Sequence, residues 1–218
     1  MRRLLVALAA LSCLLAGPAL AIDIRQVTTP LGIKAWLVED RSVPIVTISF
    51  SFAAGSASEP EGQKGVTSMM AELLTDGAGS LGPLAFKRRA SEINASIGFG
   101  ASADRLSGTL SMLSAVRGEA FDLLRLCMTE PRFEADMLEQ RRAQYIAVLN
   151  QSEQRPASVA SRTLMATVFA GHPYSSETQG LRDSLRALTA QDVRKRAAAL
   201  LDRSGLIVTV VGDISEAD

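Results

Sequence analysis

A chain of 218 residues that is 47% hydrophobic and 21% charged has the composition of an ordinary globular domain, not of a disordered or fibrous one. Its 23 basic and 23 acidic side chains cancel, which leaves no basic footprint for nucleic acid. Nothing in it is apolar for the roughly 20 residues that a membrane-spanning helix needs.

The chain opens with Arg2 and Arg3, an apolar run from Leu4 to Leu15, a Gly17-Pro18 break and a small-x-small Ala19-Leu20-Ala21. That order is expected of a secretory signal peptide covering residues 1–21, with cleavage after Ala21 and a single domain over 22–218 in a periplasmic or secreted protein. Ala10-Leu11-Ser12 before Cys13 is a poor lipobox, and the apolar run continues past it. A leader that takes Arg2 and Arg3 with it puts the acidic side chains two ahead of the basic ones. It also takes Cys13, leaving Cys127 with no intrachain disulfide to form and a place in the core of an apolar helix.

Arg25–Thr28, Lys34–Val38 and Ile45–Phe52 alternate and are rich in β-branched residues, which predicts strands. Val66, Met69, Met70, Leu73 and Leu74 recur at i, i+3, i+4, i+7 and i+8, which predicts a helix with one buried stripe ending near Gly77-Ala78-Gly79. Pro83 opens a further helix to about Asn94. Gly98 to Met112 alternates as two strands of a hairpin. Helices are expected at about 117–129, 134–153 and 156–170, then a loop at Gly171-His172-Pro173-Tyr174, helices near 181–187 and 189–201, and a closing strand Leu206–Val211. Strands and helices mixed in this way imply an α+β domain, its mixed and largely antiparallel sheet covered by helices on one face.

Two motifs carry the functional reading. Residues 55–65 run Gly-Ser-x-x-Glu-x-x-Gly-x-x-Gly into the helix that begins at Val66. Together with Asn94–Arg105, Glu130-Pro131-Arg132-Phe133, Gly171–Tyr174 and Val208–Ile214, taken in order, this frame resembles the pitrilysin/insulinase (inverzincin) metallopeptidases over essentially the whole of 22–218. In that family the turn leads into a helix bearing His-x-x-Glu-His. Two His one turn apart reach a single zinc, and the Glu between them is general base to the metal's water. Here those places hold Ser68, Ala71 and Glu72. The family's third ligand is a Glu on a later helix, ahead of a Pro. Counting back from Pro156 puts that place at Val148, 76 positions beyond Glu72 as the family spaces them, and its upstream acidic companion at Arg141.

The resemblance therefore implies a homologue with no metal and no cofactor of its own. By themselves, Ser68 and Glu72 are ordinary face residues of an amphipathic helix, and that reading also predicts no metal. His172, the one His of the chain, cannot build a zinc site and is expected to hydrogen-bond the backbone of its loop. Gly98, Phe99, Gly100 and Ala101 do not precede the Lys or helix start of a phosphate loop, and are assigned to an edge strand where family members pair a peptide by strand addition.

Family members close two homologous halves, or two paired chains, around an unfolded peptide, and inactive homologues serve as partners of active subunits, as in mitochondrial processing peptidase. The expectation is an exported non-catalytic subunit of a heteromeric zinc peptidase whose intact partner supplies the zinc. The alternative is a peptide-binding or assembly protein on the same fold with no proteolytic partner.

Overall fold

The computed structural model describes residues 23–202 and 205–218, so the leader predicted at 1–21 lies outside the described residues. Six strands, β1 (Arg25–Thr28), β2 (Lys34–Glu39), β3 (Ile45–Phe52), β4 (Ser96–Ala101), β5 (Leu106–Leu113) and β6 (Ile207–Gly212), form one sheet in the order β1-β2-β6-β3-β5-β4. Only β2 and β6 run parallel; the other neighbours are antiparallel. Seven α-helices are described: α1 (Val66–Leu73), α2 (Pro83–Glu92), α3 (Arg117–Thr129), α4 (Ala135–Glu153), α5 (Pro156–Val168), α6 (Arg182–Ala187) and α7 (Ala190–Leu200). This is the expected α+β class with a mixed, largely antiparallel sheet.

Alternation places the core. Val46, Phe50 and Phe52 of β3 and Leu106, Leu110 and Met112 of β5 point to the helices and are buried. Between them Ser49, Ser107 and Thr109 point away and are exposed, so the helices lie on one face. One core cluster gathers α1, α4 and α7 over Phe50, Phe52 and Leu106; the other gathers α2 and α3 over Val46, Leu110 and Met112. Cys127 belongs to the second, fully buried, where burial pushes its thiol up to about 12.

The helix expected to run to Gly77–Gly79 stops at Leu73. Asp76, one residue before Gly77 (φ +110), turns its carboxylate inward instead of continuing the helical surface. The helix expected at 156–170 likewise ends at Val168, before Gly171 (φ +78).

Candidate functional site

The entry to α1 is held by groups from far apart in the chain. Gly65 caps the helix in the left-handed region (φ +96), and the buried Glu59 carboxylate accepts from the backbone N–H of Gly65 and of Thr67, both at 2.8 Å. Those donors have no partner inside the helix, and an anion at this end also meets the positive pole of its dipole. Arg196 of α7, 8% exposed, donates to Thr67 Oγ1 at 2.9 Å, to Gly55 O at 2.8 Å and to Ser58 O at 3.1 Å. The motif Glu thus works as a helix cap and the buried Arg as a clamp on the turn. The sequence gives Glu59 only as part of the motif and assigns no role to Asp76 or Arg196. For Arg196 the signal existed, since it interrupts the apolar spacing Val193, Ala197, Leu200.

On α1, Ser68 is 6% exposed and its hydroxyl donates to Thr178 O at 2.8 Å. Ala71 is buried in the core. Glu72 is partly exposed and its carboxylate faces Arg141 Nη1 at 3.3 Å. Arg141 then spans to Asp76, its Nε 2.7 Å from one carboxylate oxygen and its Nη2 3.0 Å from the other, while Lys87 Nζ lies 3.1 Å away. The Asp76 side chain has no exposed surface. Burial alone pushes its carboxyl up, but Arg141 and Lys87 overcome that and hold it below the usual range. The hydrogen bond that Arg141 donates to Asp76 in turn raises the guanidinium.

Arg141, Tyr145 and Val148 share one face of α4 at i, i+4 and i+7. Tyr145, pushed up to about 12 by burial, donates its hydroxyl to Ser68 O at 3.3 Å, so this face looks onto α1. Val148 is 47% exposed there. The two helices therefore bring Ser68, Glu72, Arg141 and Val148 to one cleft, with Ala71 inside the core beneath it. Among the described residues no three His, Cys, Asp or Glu side chains gather as a metal's ligands do. The donor set does not fit zinc: the Ser68 hydroxyl is committed to a carbonyl, and the remaining carboxylate already faces a guanidinium.

His172 Nδ1 accepts from the Tyr174 backbone N–H at 3.2 Å, and its ring packs against Tyr174 and Phe169. Gly98, Phe99, Gly100 and Ala101 lie on β4, at the edge of the sheet. Ser102 N–H donates to Arg105 O at 2.8 Å, and the register continues through 100↔107 and 98↔109. Alternation then directs the N–H and C=O of Ile97, Phe99 and Ala101 away from β5. A Cβ at Gly98 or Gly100 would meet nothing within 4 Å, so neither is small for the sake of a neighbour in the described chain. Phe99 packs edge-on against Phe50 and anchors the strand.

Sheet, capped helix and facing α4 together define an α+β domain with an ion-pair lattice in the cleft between two of its helices. The chain belongs to the insulinase peptidase family, M16, whose model matches residues 34–181. It is 26% identical over 176 residues to the protein named non-peptidase homolog YmxG of Helicobacter pylori, covering 81% of this chain and 41% of that protein. The peptidase M16 inactive domain from Pseudomonas fluorescens superposes with a TM-score of 0.86 at 28% identity, over 90% of this chain and 48% of that one. The periplasmic protease PqqL of Escherichia coli shares the fold, with a TM-score of 0.78 at 15% identity over 91% of this chain and 23% of that one. The chain spans half or less of each of these relatives.

Proposed function

We propose that this protein is an exported, non-catalytic member of its family that holds an extended peptide and works beside an intact peptidase unit, which supplies the zinc and the general base. The observation that carries this reading is the lattice in the cleft. Arg141 sets a fixed positive charge beside Glu72, and Ala71 can neither give nor take a proton, so these positions offer nothing to activate water. The free edge of β4 is the element left for binding, because main-chain groups without partners accept a strand of any sequence. The names of the relatives from H. pylori and P. fluorescens support the non-catalytic role. The leader-like order of residues 1–21 supports export, and no helix among the described residues is long and apolar enough to cross a membrane.

The test combines the protein with an intact homologue that retains His-x-x-Glu-His. Hydrolysis of an unfolded peptide should rise well above the homologue alone, and Ser68→Ala or Glu72→Gln should leave that gain unchanged. A gain abolished by either substitution assigns these residues chemistry and overturns the non-catalytic reading. Peptide binding with no gain points to the stand-alone binding protein.

A further inference from the structure

Helix α5 is unlike the other long helices: none of its 13 residues is buried. Leu164 and Val168 are 60% and 62% exposed and Met165 37%. Its one charged side chain, Arg162, turns back to Glu177 at 2.8 Å and to Ser152 at 3.1 Å, so the outward surface carries no charge. Ser161, Leu164, Met165 and Val168 recur at i, i+3, i+4 and i+7 and form one stripe.

Ser161 and Met165 also line an open cavity of about 410 Å³, bordered on its other sides by Ala103 and Asp104 of the β4–β5 turn and by Tyr174 and Thr178. Of the carboxylates bordering it, Glu177 is neutralised by Arg162, while Asp104 accepts from Tyr174 Oη at 2.7 Å and keeps its negative charge. The cavity thus offers hydroxyls and a thioether, with one carboxylate at its rim. It starts where the free edge ends: Ala103 is two residues past Ala101, at most about 7 Å along the chain.

We propose that this cavity and the Leu164–Met165–Val168 ledge form a specificity subsite for aliphatic, uncharged side chains of an extended peptide, in the stretch that runs past Ala101. This rests on the peptide-holding role of β4. The apolar ledge rewards an aliphatic side chain, and an acidic one would lose water there and meet the Asp104 carboxylate instead of a partner.

The experiment measures fluorescence anisotropy of labelled valine–threonine peptides with the full chain, against the same peptides carrying lysine or glutamate in one half. The aliphatic peptide should bind about tenfold more tightly than the glutamate one, and the lysine one, which covers less apolar surface but can meet Asp104, should fall between them. Leu164→Lys, at an exposed position, should weaken the aliphatic peptide about tenfold and turn the preference to the glutamate peptide. Ala101→Pro, which removes an outward N–H, should weaken all three; should that variant not fold, peptides N-methylated at alternate residues test the edge from the ligand side. Equal binding of the three peptides, or binding untouched by Leu164→Lys but lost on blocking the edge, overturns the subsite alone. No binding by any peptide overturns the peptide-holding role and the subsite with it.

Discussion

At Asp76 a carboxylate with no exposed surface sits between two cations, one from α2 and one from α4, and its value to the fold can be measured. Removing one partner of a buried pair leaves the other desolvated and short of opposing charge. Arg141→Met leaves Asp76 with Lys87 alone and should cost about 3 kcal/mol, the low end of that effect because Lys87 stays and the Arg141 side chain is 21% exposed. Denaturant midpoints of the single and double variants with Asp76→Asn should show the two effects to be strongly non-additive; simple additivity would mean that the pair is not a unit. The pH dependence has a definite sign. The folded carboxyl is lowered, so its contribution is complete above the unfolded value of about 3.9 and is lost as pH falls through the folded one. Asp76→Asn should therefore flatten the loss of stability as pH falls below about 4. Of these residues the sequence marked only Arg141, and only as a departure from the family's pattern. Asp76 looks like a loop carboxylate in the sequence, because the group that pairs it is brought up by folding: Arg141 is 65 positions away.

Elements were more legible than the contacts between them. The apolar periods of β3 and α1 are set by which face is buried, and the strand ranges of β1 and β3 fall where alternation puts them. The end of α1 was misplaced because apolar spacing runs on through Leu74, while the turn that stops the helix answers to Asp76 and its partners. Nor could spacing reveal that the loop at 177–181 docks on the start of α1. That docking depends on two glycines set face to face: a Cβ on Gly180 would lie 2.2 Å from Lys64 O, and one on Gly65 2.6 Å from Gln179 O. Gly62 also has a positive φ, but a Cβ there meets nothing. Gly62→Ala should cost about 1 kcal/mol of backbone strain. Gly180→Ala adds a collision with backbone to similar strain and should cost clearly more, lowering the melting temperature further than Gly62→Ala. Equal losses would show that the loop and α1 are not in this contact.

For the molecule as a whole, the question is whether the cleft between α1 and α4 has the geometry of a metal site at positions 68, 72 and 148. Ser68→His, Ala71→Glu, Glu72→His and Val148→Glu together would set two imidazoles one turn apart opposite a carboxylate on the face that Arg141 and Tyr145 share. Those four changes leave Arg141 in place, and its guanidinium reaches position 72, where the second imidazole would stand. A fixed cation a few ångströms from a divalent ion opposes binding by about 4 kcal/mol or more, even near a protein surface. The fourfold variant should therefore hold zinc poorly, and adding Arg141→Glu should strengthen binding by orders of magnitude, since it replaces the repelling charge with an acidic group that can orient a ligand imidazole. Ala71 is buried, so the new Glu must displace core packing, and the melting temperature of each variant has to be followed beside the titration. Isothermal titration with zinc decides between the outcomes. Equal affinity with Arg141 and with Glu at position 141 would mean that the guanidinium does not guard the cleft. Tight binding that persists when position 148 is returned to Val would mean that α4 does not face the metal.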